Sequence, residues 1–285
     1  MPTIAVVAAG AMGSAVGHRL TQAGCTVLTN LDGRSEATRR RTEDAGMKDA
    51  SLSQIASEAD YLLSILPPSN AVSFAELFLR ESAGVQRTSH SGSLPLIFVD
   101  CNAVNPVTAK QIAGLFADSA MKVVDAGIIG GPPKGEYNPT FYASAEEEDV
   151  LERFGSLAQY GLKISLLKGG VGDASALKMS YAGMTKGTTA LFTIMILAAE
   201  ASSPATAEAL RNELAASQPE FLDRIKRAVP GMMPKAYRWV GEMEEIAGFI
   251  GGDEGETYNG IAKIYERVEK NNGGEIEILK RFVGN

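Results

Sequence analysis

The chain has 285 residues, 45% of them hydrophobic and 21% charged, which is enough apolar surface for a core in one large unit or two and excludes a disordered chain. With 34 acidic against 27 basic residues the formal net charge is −7, a surface that repels a phosphate backbone, so general nucleic-acid binding drops out. Two cysteines (Cys25, Cys101) and two histidines (His18, His90) are too few for a disulfide framework or a Cys/His metal cluster, and they leave little room for a histidine-based hydrolytic triad.

Met1 to Ala9 lacks the basic region of a secretory leader and runs straight into a glycine turn, so a soluble cytoplasmic protein is expected. The most apolar stretch, Ala190 to Ala199, is shorter than the roughly 20 residues that span a bilayer and reads as a buried helix, with no membrane partner. Short β-branched runs alternate with helical patterns through the first half, at Thr3–Ala8, Thr26–Asn30, Tyr61–Leu66, Leu96–Asp100 and Lys122–Ala126. That alternation predicts an α/β fold, a Rossmann-like doubly wound parallel sheet, which Thr140–Ala143 and Leu162–Leu166 could extend. Strand signals stop after Lys168. Gly169 to Gly172 then reads as a hinge, a long helical pattern runs to Ser203-Pro204, and the remainder is divided by Pro219, Pro230, Pro234 and Gly251-Gly252. The expected division is a nucleotide-binding domain over 1–168 and an all-α domain over 169–285.

The first strand enters Ala8-Ala9-Gly10-Ala11-Met12-Gly13, a GxGxxG pattern whose first glycine is Ala8, and a helical composition follows. Gly10 would let the backbone approach a pyrophosphate, Gly13 would let helix and strand pack closely, and the amides of Ala9 to Gly13 would supply donors. Dinucleotide binding is therefore expected, with a structural glycine turn as the alternative. The second strand ends at Asn30, and the loop after it offers two signals. Asp32 could accept from an NAD ribose, whereas Arg34 and Ser35 could bind the additional phosphate of NADP; the expectation leans to NADP(H), with NAD(H) as the alternative. Arg39, Arg40 and Arg41 read as a solvated face. Leu66-Pro67-Pro68 starts a helix at the sheet edge where ligands sit in doubly wound folds, or is a simple proline-initiated helix start.

Three further segments carry a resemblance. Asp100-Cys101-Asn102-Ala103-Val104-Asn105-Pro106 follows the fourth strand, Asp125-Ala126-Gly127-Ile128-Ile129-Gly130-Gly131 includes the end of the fifth, and Gly170-Val171-Gly172 precedes Lys178. With the N-terminal pattern they resemble the β-hydroxyacid dehydrogenases, the group that contains 3-hydroxyisobutyrate and 6-phosphogluconate dehydrogenases. Leu177 to Ala182 and Arg238 to Glu245 resemble a branch whose helical domain is known mainly as a domain of unknown function. The resemblance implies that Lys178 is the general acid/base, that the amides of Gly130-Gly131 meet a substrate carboxylate, and that the chain pairs as a homodimer through its helical domain. Chemistry agrees with the lysine, because hydride transfer from an alcohol leaves a proton that needs an acceptor, and a partly buried amine can be tuned for it. A lysine snorkelling from the helix is the structural alternative.

Ile129 stands where the family commonly has serine, Asn102-Ala103 where it has Ser-Thr, and Tyr181 where it has asparagine. Asn102 could hold substrate or the nicotinamide carboxamide through its amide, and Tyr181 shares a helical face with Lys178, Ala182 and Thr185. Glu242, Glu244 and Glu245 read as surface carboxylates, and Met184, Met195, Met232, Met233 and Met243 as core or interface filler. The expected activity is an NADP-dependent interconversion of an alcohol, such as a hydroxy acid, and a carbonyl of a small-molecule substrate. An imine reductase and a non-catalytic NADPH sensor or scaffold are the alternatives.

Overall fold

The computed structural model describes residues 1–88 and 94–284, and His90 lies outside them. Two compact units divide the chain, Met1–Lys178 and Met179–Asn285.

In the first unit one eight-stranded sheet is built from β1 (Thr3–Val7), β2 (Thr26–Thr29), β3 (Lys48–Asp49), β4 (Tyr61–Ser64), β5 (Ile97–Asp100), β6 (Lys122–Ile129), β7 (Thr140–Ser144) and β8 (Lys163–Leu166). Their spatial order is β3-β2-β1-β4-β5-β6-β7-β8. The order reverses between β1 and β4, which places the switch point of a doubly wound sheet beside the glycine turn. Helices α1 (Ala11–Gln22), α2 (Glu36–Asp44), α3 (Leu52–Glu58), α4 (Ala71–Ser82), α5 (Pro106–Leu115) and α6 (Glu148–Gly155) complete this unit, with the first turns of α7 (Asp173–Ser202).

The central strands β1, β4 and β5 are buried along their whole length because both faces of the sheet are covered there. Along β1, Ile4 and Val6 join a cluster with Val16, Leu20 and Phe154, while Ala5 and Val7 join Phe74, Phe78 and Phe98. The first six strands are parallel, but β7 runs antiparallel to β6, with Asp125 opposite Ser144 and Ile129 opposite Thr140. The connection from Ile129 to Thr140 holds no crossover helix, so the chain can only turn back. The same pairing carries β6 three residues past the expected end at Ala126, to Ile129.

The second unit holds the rest of α7 with α8 (Pro204–Ser217), α9 (Pro219–Met232), α10 (Ala236–Ile250), α11 (Gly252–Lys270) and α12 (Glu275–Val283). Pro230 does not divide the chain as expected: it lies inside α9, which continues past it to Met232. The α10–α11 turn uses Gly251 and Gly252 at φ of +70° and +57°, and α11 then approaches α10 so closely that a Cβ on Gly255 would lie 2.7 Å from the Ala247 carbonyl oxygen. Glu242 is not the surface carboxylate that its sequence suggests. It pairs with Lys186, both side chains are largely buried, and the ammonium lies 5.0 Å from the Trp239 ring centroid. Trp239 in turn meets the buried Tyr265 edge to face.

The apolar stretch Ala190–Ala199 belongs to a 30-residue helix, the one described helix long and apolar enough to cross a membrane by length and composition; half of its most apolar window is buried. It is not buried all round, since Met184, Leu191 and Met195 are each more than half exposed.

Candidate active site

The turn after β1 is shaped by two glycines that behave differently. A Cβ on Gly13 would sit 2.0 Å from the Ala8 carbonyl oxygen and 3.4 Å from Val6 Cγ1, so only glycine allows α1 to close on β1. Gly10 has ordinary extended angles (φ −71°, ψ −169°), and a Cβ there would meet nothing within 4 Å. Neither backbone strain nor packing requires that glycine. Gly10 is also the N-cap of α1 and offers no side chain, and the first turn holds no acidic residue. By contrast α2, α3, α5 and α8 are capped by Ser35, Ser51, Asn105 and Ser203. The leading amides of α1, at Ala11, Met12 and Gly13, thus keep donors and the positive end of the helix dipole for an anion. Residues and geometry of this turn fit a dinucleotide.

Gly33 takes φ +67°, the left-handed turn that glycine permits, and Arg34 follows it exposed. Asp32 accepts from Asn30 Nδ2 at 2.8 Å, and Ser35 caps α2 by accepting from the Thr38 amide. Arg39 is more than a solvated charge: it donates to the Leu31 carbonyl at 2.7 Å and pairs with Asp49 at 3.8 Å, which ties this loop to β3. Pro67 and Pro68 follow β4 at the same edge, and Pro68 opens a short 3₁₀ turn into α4.

Asn102 is engaged inside the protein rather than offered to a ligand. Its Nδ2 donates to Asp100 Oδ1 and, at 3.0 Å, to Ser64 Oγ, while its Oδ1 accepts from the Leu66 amide. Both amide hydrogens are used, so the expected contact with substrate or carboxamide gives way to a brace between the ends of β4 and β5. The Gly131 amide is engaged too. It donates to Tyr137 Oη at 3.0 Å, and a Cβ on Gly130, at φ +132°, would lie 2.4 Å from that oxygen. Tyr137 reaches this position because Lys134 and Tyr137 exchange backbone hydrogen bonds and Arg19 donates to the Gly135 carbonyl at 2.9 Å. Ile129, half-buried at the end of β6, offers no polar atom on its side chain.

The start of α7 is fixed to the sheet by polar groups that sequence reasoning did not single out. Asp125 accepts from the amides of Gly172 and Ser175, both at 2.9 Å, and from Ser175 Oγ at 2.7 Å. Ser144 Oγ accepts from the Ala174 amide at 3.1 Å, and Glu146 from the Val171 amide at 3.1 Å. Lys178 follows on the same turns, half-buried, and its stem crosses β6 at Gly127, where a Cβ would come within 3.1 Å of Lys178 Cβ. Burial pushes the Asp125 carboxyl above its ordinary range, opposed by the Ser175 and Gly172 hydrogen bonds and the Lys178 charge. Asp100 is pushed up to about 7 by burial and then by Asp125. A charged residue closing or interrupting an otherwise buried strand was the signal available for both. Tyr181, further along α7, is more than half exposed.

Comparison with known proteins bears on this arrangement. The NAD binding domain of 6-phosphogluconate dehydrogenase matches residues 3–167, and a domain of unknown function, DUF1932, matches residues 201–268. An uncharacterized 28.5 kDa protein of Methanothermus fervidus is 27% identical over 79% of this chain and 81% of its own length. Among solved structures, the Mycobacterium tuberculosis 3-hydroxyisobutyrate dehydrogenase with L-serine superposes with a TM-score of 0.69 at 18% identity, covering 99% of each chain. An imine reductase from Myxococcus stipitatus in complex with NADP⁺ superposes at 0.58 with 18% identity, over 99% of this chain and 100% of its own. The last two likenesses are of fold.

Proposed function

Because the chain belongs to the family of the NAD binding domain of 6-phosphogluconate dehydrogenase, we propose that it is a nicotinamide-dependent oxidoreductase that interconverts an alcohol and a carbonyl, with Lys178 as general acid/base. The observation that carries the reading is Gly10, a glycine that neither backbone nor packing requires, at the uncapped start of α1. Ala9 to Gly13 would hold the pyrophosphate, the loop from Asn30 to Ser35 the adenosine ribose, and Leu66 to Pro68 the next stretch of cofactor along the sheet edge. The cofactor supplies hydride chemistry at its nicotinamide ring. Lys178 takes the alcohol proton in oxidation and returns it in reduction, and Gly127 leaves room for its stem to lie against the sheet. Arg34, exposed after the Gly33 turn, favours NADP(H) over NAD(H).

The occupied Gly131 amide supports a second reading. With Tyr137 Oη on the amide that a carboxylate would use, the pocket suits a substrate without a carboxylate at that point, and imine reduction fits this description. The exposed Met184, Leu191 and Met195 support pairing of two copies through the helical unit, for which a dimeric mass in solution is the test. The test of activity is NADPH oxidation at 340 nm over a panel of aldehydes, ketoacids and imines, with Lys178→Ala in parallel. Turnover by the parent and none by a variant that still binds NADPH is the expected result. Undiminished turnover by the variant rules out the lysine role, and cofactor binding with no turnover on any substrate favours a sensor.

A further inference from the structure

Two carboxylates stand side by side in the sheet, Asp100 at the carboxyl end of β5 and Asp125 midway along β6, and the acid/base role given to Lys178 uses neither. Asp100 and Asp125 are partners in register and are only 2% and 1% exposed. Their surroundings differ. Asp125 receives three hydrogen bonds from Gly172 and Ser175 at the start of α7, the number that stabilises an ionised carboxylate. Asp100 receives hydrogen bonds from Asn102 on Oδ1 alone, and its buried Oδ2 has no hydrogen-bond partner among the described residues. A charged oxygen left bare in the interior is costly, and a second anion across the strand pair raises that cost. Among the described residues, the other ionisable groups that act electrostatically on the pair are Lys178, from α7, and the buried Cys101 thiol, next along from β5.

We infer that Asp100, Asp125 and Lys178 hold their protons as one coupled unit, in which Asp100 is the neutral, proton-bearing member and acts as a positioning residue for the charge on Lys178. The consequence for turnover rests on the function proposed above for Lys178. While Asp100 is protonated, the amine faces one anion and releases its proton more readily to a carbonyl being reduced. Once Asp100 ionises, the amine faces two anions and holds the proton more firmly. Burial, with Asp125 beside it, sets that change at about pH 7. The unpartnered Oδ2 is then a donor at working pH rather than a bare anion.

The test is a pH titration by NMR of the full chain labelled with ¹³C at the aspartate carboxyls. The Asp100 resonance is identified as the one that disappears in Asp100→Asn. Should that variant fail to fold, Asp100→Glu, which keeps a carboxyl at this position, removes the same aspartate resonance and identifies it. The expected result is a buried carboxyl with a midpoint near 7 in the parent, moved upward by about 1 in Lys178→Met, which lacks the stabilising cation. A midpoint in the ordinary aspartate range near 4, or a midpoint that Lys178→Met leaves in place, overturns the inference. Turnover of Lys178→Met is measured separately: retained turnover removes the acid/base role, while the midpoints alone decide whether the unit exists.

Discussion

Gly10→Ala and Gly13→Ala separate a nucleotide seat from a merely structural glycine turn, because the two positions fail for different reasons. At Gly13 the added Cβ would lie 2.0 Å from a backbone carbonyl oxygen that cannot rotate away, so α1 has to lift off β1 by more than an ångström. Overpacking of this kind costs about 1–3 kcal/mol, and the rigid neighbour places Gly13→Ala at the upper end; for a domain of this size each kcal/mol lowers Tm by roughly 2–4 °C. At Gly10 the added Cβ meets nothing, and the backbone angles suit alanine, so stability should change by less than about 1 kcal/mol, the order of an N-cap exchange. Its methyl group would nevertheless occupy the space in which a pyrophosphate approaches the α1 amides. A loss of about 1.4–2.8 kcal/mol there weakens the NADPH Kd by about 10–100-fold. Differential scanning fluorimetry and NADPH fluorescence titration read the two quantities on the same samples. Gly10→Ala with parental stability and parental affinity would refute the assignment of this turn as the cofactor seat.

Three further outcomes follow from the geometry. The folded chain raises the Asp100 carboxyl from 3.8 to about 7, so it holds a proton that the unfolded chain has released, and this group's contribution to stability is lost as pH rises between those values. That loss totals about 4 kcal/mol and is absent in Asp100→Asn, so urea unfolding from pH 4 to pH 8 should show a flatter dependence for the variant; equal slopes contradict it. Arg34→Ala should bring the NADPH and NADH dissociation constants together, and a parent protein that already binds both equally removes the premise. Tyr137→Phe frees the Gly131 amide and should tighten binding of a short hydroxy acid by up to about tenfold, the value of one hydrogen bond; unchanged binding by isothermal titration places the carboxylate elsewhere.

Much of the frame was legible because its physics is local. Buried parallel strands announce themselves as apolar runs, and Gly10 falls between strand and helix with Gly13 in the first turn of α1. The two-residue edge strand Lys48–Asp49 carries no apolar signal and could not be found that way. The reversal at β7 and the full extent of β6 depend on pairing between separated segments. Within the site, residue types were readable and their partners were not. The amide of Asn102 was read as a contact for substrate or carboxamide, because its partners Asp100, Ser64 and Leu66 come from two strands and a turn. Tyr137 reaches Gly131 only because a small hairpin folds back, and Asp125 holds α7 across 47 residues of chain. Long-range placement of this sort leaves no periodic trace.

A structure of the protein crystallised with NADPH tests the central claim most directly. The account predicts the pyrophosphate on the amides of Ala11, Met12 and Gly13, and the Lys178 amine lining the same pocket as the reactive face of the nicotinamide ring. A cofactor seated away from the Gly10 turn, or a Lys178 amine directed into open solvent in every copy, would contradict it.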